Sequence, residues 1–266
     1  MKKTMLSLIL SGLLLLTACG GGTAANTAPA EDDDTIHILA TTYPVYLFTT
    51  AATEGVEGVE VIRLIQEEIS CLHDYTLTVN DMKAVERADV IVMNGAGLED
   101  FMTDALAASD APVIDCSEGI ELLPAIGHED HDHDTEYDPH IWMNEEAAEV
   151  MMNNILHGLG ELDGDNLDRY TENFNAAAAL LPGDDGRMSG LSCPYLITFH
   201  DGFQYFARDN GLTILKAIEE EEGAEASAAE IQEVVDLVRE YEIPAIFTKR
   251  NGSEATARAI SRETGC

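Results

Sequence analysis

Apolar positions along the chain fall into short unbroken runs, separated by longer stretches in which they recur every three or four residues. The segments "TIHILATT" (35–42), "VEVIRLI" (59–65), "DVIVMN" (89–94) and "APVIDCS" (111–117) are unbroken runs and read as strands. Between them, 43–53, "VNDMKAVERA" (79–88) and "LEDFMTDALAAS" (98–109) read as helices. Asn80 or Asp81 is the expected N-cap of the second, and Gly95 and Gly97 turn the chain into the third. Strands that alternate with helices indicate a parallel sheet covered on both faces.

The same rhythm returns later. "YLITFH" (195–200), "LTILKAI" (212–218) and "PAIFTK" (244–249) read as strands. "GFQYFARDN" (202–210), "SAAEIQEVVDLVREY" (227–241) and "SEATARAISRET" (253–264) read as helices. Residues 144–182 read as helical for most of their length, with Gly158, Gly160 and Gly164 weakening the middle. The expected fold is therefore α/β, with two lobes of parallel sheet flanked by helices and joined by one long rigid helix. The expected boundaries are 35–143 for the N-terminal lobe, 144–182 for the connecting helix and 190–266 for the C-terminal lobe. The second lobe has three strand–helix units where the first has four strands, which predicts a lobe truncated at its C-terminal side.

Residues 1–18 have the pattern of an export signal: Lys2 and Lys3, then an apolar stretch over 5–16 that is too short to span a bilayer. Leu16-Thr17-Ala18-Cys19 resembles the lipobox of bacterial lipoproteins, which implies cleavage before Cys19 and acylation of that cysteine. Residues 19–34, small and then acidic, read as a tether. The expected location is outside the cytoplasmic membrane, lipid-anchored to its outer face or periplasmic. A net charge of −36 excludes nucleic acid as a partner and suits a cationic ligand. Cys71, Cys116, Cys193 and Cys266 allow three disulfide pairings, and sequence does not choose among them.

In open parallel sheets ligands bind beyond the carboxyl ends of the strands. His73 follows the 59–65 strand, His140 precedes the connecting helix, and His200 ends the 195–200 strand. Each alone reads more readily as a surface or capping residue. Brought together in a cleft between lobes, three neutral imidazoles would suit zinc. Asp74, Asp138 and Asp201 lie one or two residues away and read either as orienting partners of the imidazoles or as turn residues. His37 and His157 read as structural. Phe203, Tyr205 and Phe206 read as core packing, and Trp142 as a shield over the site or a filler of the lobe interface.

"SCLHDYTLTVNDMKAVERADVIVMNGAGLEDF", "DPHIWMNE" and "TFHDGFQYFA" resemble, in order and spacing, three signature segments of a known family. These are the zinc- and manganese-binding proteins of ABC transporters (the cluster A-I substrate-binding family, also called adhesion lipoproteins). The resemblance spans about residues 35–266. It implies two α/β lobes joined by a rigid helix, metal bound between them by His73, His140 and His200, and no catalysis. It further implies a monomer that meets the membrane through its lipid anchor and an ABC transporter permease as its partner. Manganese members commonly carry Glu at the third position, so His200 favours Zn2+ over Mn2+. Two departures stand out: no residue here matches the family's acidic fourth ligand, and Lys249 stands where relatives often show Glu. "HEDHDHD" resembles the family's histidine-rich loop, which implies that His128, His131 and His133 form an auxiliary zinc-collecting segment. Two other readings are a surface adhesin, which the family's naming permits, and a metallohydrolase. The second needs a general base and a substrate pocket, and no HExxH-type pattern is present.

Overall fold

The computed structural model of the chain describes residues 34–66, 75–125, 136–183, 188, 190–218, 226–248 and 254–266. Residues 34–266 make one compact unit. Cys19, Cys71, His73, Asp74, His128, His131, His133 and Lys249 lie outside the described residues.

The first sheet is built from β1 (Ile36–Ala40), α1 (Tyr43–Ala52), β2 (Val59–Arg63), α2 (Val79–Arg87), β3 (Val90–Met93), α3 (Thr103–Ala108) and β4 (Val113–Asp115). Its four strands are parallel in the order β2-β1-β3-β4, with Ile38 paired to Val61 on one side and to Val90 on the other. Successive residues of the central strands serve opposite faces. Ile38, Ala40, Val90 and Val92 join Val45, Met151, Ile155 and Leu159 in one core. Leu39 and Ile91 join Val85, Met102 and Ala105 in another. Both faces are covered, which is why these strands are unbroken apolar runs rather than alternating ones.

Helix α2 starts earlier than expected. Its cap is Thr78, whose hydroxyl accepts the Asp81 N–H (3.3 Å) while Asp81 accepts the Thr78 N–H (2.6 Å). This closes a capping box, so Asp81 is the third helical residue and not the cap. The helix expected over 98–109 is a 3-10 turn (Asp100–Met102) running into the short α3.

The single connecting helix expected over 144–182 is two helices, α4 (Glu145–Leu162) and α5 (Leu167–Ala178). The break is at Asp163, whose carboxylate accepts from Asn166 Nδ2 (2.8 Å) and the Tyr170 hydroxyl (2.7 Å) and so folds the chain back. Helix α5 then lies against α4 and α1. Asn173 Nδ2 donates to the carbonyls of Ala52 (2.8 Å) and Glu54 (2.9 Å) there, which satisfies acceptors at the end of α1. Gly158 does not interrupt α4. A Cβ at that position would run into the Ile114 side chain, so the glycine lets the helix approach β4.

The second sheet pairs β5 (Tyr195–Thr198) with β6 (Thr213–Ala217) in parallel. Its helices are α6 (Gln204–Asp209), α7 (Ala228–Glu240) and α8 (Glu254–Thr264), around a core of Ile197, Phe199, Ile218, Val234, Val238 and Ile260. Of the strand expected over 244–249, the described residues show the pairing of Phe247, whose N–H donates to Ile197 O (3.1 Å) and whose carbonyl accepts from Phe199 N–H (3.1 Å). Pro244 at its start has no N–H to offer a ladder. Strand β5 ends at Thr198, so His200 lies beyond the strand, in a turn held by the Thr198 hydroxyl donating to His200 O (2.7 Å).

Candidate metal centre

The carboxyl ends of β1 and β3 form the base of the site. Glu99 is 3 % exposed there. It accepts from the Thr41 hydroxyl (2.6 Å), Asn94 N–H (2.7 Å) and Gly95 N–H (3.0 Å). Burial pushes its carboxyl up to about 7, against the lowering effect of these bonds and with help from the Asp115 charge. The turn held by Glu99 aims Asn94, whose Nδ2 donates to Pro139 O (2.9 Å). That bond places the residue before His140.

His140 is then oriented by Asp138, which is 3 % exposed. One carboxylate oxygen of Asp138 accepts from both His140 N–H (2.9 Å) and His140 Nδ1 (2.7 Å). A carboxylate can only accept, so Nδ1 carries the ring proton and the lone pair of Nε2 is free. His200 Nδ1 lies near a carboxylate as well, 3.3 Å from Asp201 Oδ1, a looser contact than that of His140 with Asp138. The two Nε2 atoms face each other 2.9 Å apart, with the rings nearly perpendicular at 82°. Two lone pairs so close repel unless a proton or a metal cation lies between them. Asp138 thus holds the His140 imidazole in the tautomer a metal needs.

His140, His200 and Asp201 can each bring one ligand atom within 4.8 Å of the others, and they are the one such group among the described residues. The Trp142 ring is 5.1 Å from the His140 ring, tilted over it. Gly202 lies against the same ring: a Cβ there would be 2.6 Å from His140 Cδ2 and 2.8 Å from Cγ and Nε2. A further link crosses the lobes where Asn144, the cap of α4, donates to the Asp209 carboxylate of α6.

Of the three histidines singled out in the sequence, the structure brings His140 and His200 together. His37 is held at the opposite end of the first sheet by Asp89, Glu60 and Arg87, and His157 is exposed on α4. Cys116, Cys193 and Cys266 are free thiols, and burial raises the Cys116 thiol well above its ordinary value. The contacts of Asn94, Gly202 and Gln204 around His140 were not legible from sequence, since each reaches a partner far along the chain, and Glu99 enters only through the turn that carries Asn94. The one available cue was that all four lie in the segments of resemblance.

A family model described as "Zinc-uptake complex component A periplasmic" matches residues 38–266. Among curated relatives, the zinc-binding lipoprotein AdcA of Streptococcus pneumoniae is 28% identical over 281 aligned positions, covering 100% of this chain and 54% of its own length. The chain therefore spans about half the length of that relative. The high-affinity zinc uptake system protein ZnuA of Bacillus subtilis is 27% identical, with 99% of this chain and 86% of the relative covered. Among solved structures, a crystal structure of ZnuA superposes with a TM-score of 0.74 at 29% identity, over 88% of this chain and 89% of that one. Since the family model spans both sheets and both facing histidines, the chain belongs to the family described as zinc-uptake complex component A, periplasmic.

Proposed function

We propose that this chain captures Zn2+ outside the cytoplasmic membrane and hands it to an ABC importer. The observation that carries the proposal is the pair of Nε2 atoms, His140 and His200, facing each other at 2.9 Å with each Nδ1 turned to an aspartate. Zinc–nitrogen bonds of about 2.0–2.1 Å in a tetrahedral site set ligand nitrogens about 3.3 Å apart. An ion entering here therefore asks the pair to part by only about 0.4 Å. Imidazole nitrogens suit zinc better than manganese, which prefers oxygen.

His73 completes the set as a third imidazole, on the strength of the family resemblance of "SCLHDY". His128, His131 and His133 act as a weaker, replaceable collector of the same ion. The net charge of −36 draws cations toward the protein. Cys19 carries the lipid anchor, and the permease of the importer is the docking partner. The work of the site is binding and release, not catalysis.

Calorimetric titration of the purified chain with zinc tests this. We expect about one tightly bound ion per molecule, lost when His73, His140 and His200 are all replaced by alanine. Tight binding that survives the triple replacement would rule the proposal out.

A further inference from the structure

Gln204 and Tyr205, at the start of α6, join the second lobe to the first through four hydrogen bonds. The Tyr205 hydroxyl donates to Asp138 O (2.9 Å) and accepts from Leu123 N–H (3.0 Å). Gln204 Nε2 donates to Pro124 O (3.1 Å) and to Asp138 Oδ2 (3.0 Å). The two segments they reach are already paired: Asp138 N–H donates to Leu123 O (2.8 Å), and Ala125 N–H to Glu136 O (3.2 Å). Two adjacent side chains of one lobe thus grip both sides of a paired segment in the other.

Asp138 is the point on which these bonds converge. Tyr205 takes its carbonyl and Gln204 one carboxylate oxygen, while the other carboxylate oxygen holds His140. From the opposite side Asn94 holds the carbonyl of Pro139. His200 precedes Gln204 by four residues, and Gly202 between them touches the His140 ring. The spacing of the two imidazoles is therefore fixed through Gln204 and Tyr205.

Packing alone does not account for Tyr205. Its ring is fully buried in the core of the first lobe although its helix belongs to the second. A phenylalanine would fill the same space. The hydroxyl is needed only by Leu123 N–H and Asp138 O, two groups that lead to His140. Burial raises the phenol above its ordinary value, so it stays protonated and remains a donor to Asp138.

We propose that Gln204 and Tyr205 are positioning residues of the metal site, which hold His140 and His200 at binding distance before the ion arrives. This rests on the reading of these histidines as zinc ligands. A site ordered in advance loses less on binding than one that must order its ligands around the ion. Removing either residue then weakens capture and speeds release.

The test uses the full chain with zinc alone as the probe, in Gln204→Ala, Tyr205→Phe and the double replacement His140→Ala with His200→Ala. Zinc affinity is measured by chelator competition, release by stopped flow, and ligand geometry by the absorption of the cobalt-loaded protein. Outer-shell partners of metal ligands typically contribute 10–100-fold in affinity, so a loss of about that size is expected for each single variant. Faster release and a shifted cobalt spectrum should accompany it. Gln204→Ala removes two of the bonds between the lobes, so its metal-free melting curve is recorded as well, to establish that the variant is folded at the assay temperature. Wild-type affinity, release rate and cobalt spectrum in Gln204→Ala and Tyr205→Phe would overturn the positioning role. So would a Tyr205→Phe protein that binds weakly only because it melts early while Gln204→Ala binds normally. Unchanged zinc binding in the double histidine variant would instead overturn the metal-site reading, and this inference with it.

Discussion

Gly202→Ala is the sharpest single-residue probe of the site. The added methyl would sit 2.6 Å from His140 Cδ2 and 2.8 Å from Cγ and Nε2. Carbon atoms in contact prefer about 3.5–4.0 Å, so the methyl and the ring must separate by about 0.9 Å. The ring cannot swing away freely. Its Nδ1 and its backbone N–H are both held by Asp138, and the preceding carbonyl is held by Asn94. A forced shift of about 0.9 Å is roughly twice the parting of about 0.4 Å that zinc itself asks of the two nitrogens. We expect zinc affinity to fall by about 10–100-fold, or about 1.4–2.7 kcal/mol. Overpacking should also cost about 1–3 kcal/mol of folding stability. Chelator competition measures the first effect and metal-free urea unfolding the second. Gly164→Ala, with nothing within 4 Å of its added methyl, is the control. A Gly202→Ala protein that binds zinc within about twofold of wild type and unfolds like it would refute the claim that His140 is held rigidly.

Other expectations follow from the same network. Asp138→Asn keeps one acceptor for His140 but turns an NH2 toward Gln204 Nε2, itself a donor, so zinc affinity should drop about 10–100-fold in a competition titration. His200→Glu replaces a nitrogen ligand by oxygen and should lower the zinc-to-manganese affinity ratio at least about tenfold, read by elemental analysis after mixed loading. The Glu99 carboxyl stands at about 7 in the folded chain against 4.5 when unfolded, so between these values the folded state holds a proton that the unfolded state has lost. Its contribution to stability is greatest below pH 4.5 and declines as pH rises to about 7, by about 3 kcal/mol. Metal-free unfolding at about pH 5 and 7.5 should show this decline in wild type and lose it in Glu99→Gln, whereas equal declines in both would contradict the assignment.

Much of the fold was legible because its signals are local. The runs "ILA" and "VIVM" are apolar on both faces, and only a strand covered on two sides has use for that. The break at Asp163 was not legible, because the carboxylate that folds the chain back draws on Tyr170, itself buried against the core of the first lobe. The extent of the strand at Phe247 was not legible for a related reason: "PAIF" has strand composition, yet how much of it pairs with β5 is settled by neighbours. At the site, His140 and His200 were visible as residue types in suggestive places. What makes them a site was not visible. The face-to-face Nε2 atoms, the close approach of Gly202 and the grip of Gln204 and Tyr205 on Asp138 all join residues at least sixty positions apart.

The central claim, zinc held by imidazole nitrogens between the two lobes, is tested most directly by X-ray absorption at the zinc edge of the stoichiometrically loaded chain. The account predicts nitrogen or oxygen neighbours at about 2.0–2.1 Å, with the outer-shell scattering of at least two imidazoles. That imidazole signal should fall in His140→Ala. A sulfur shell at about 2.3 Å, or a spectrum without imidazole scattering, would contradict it.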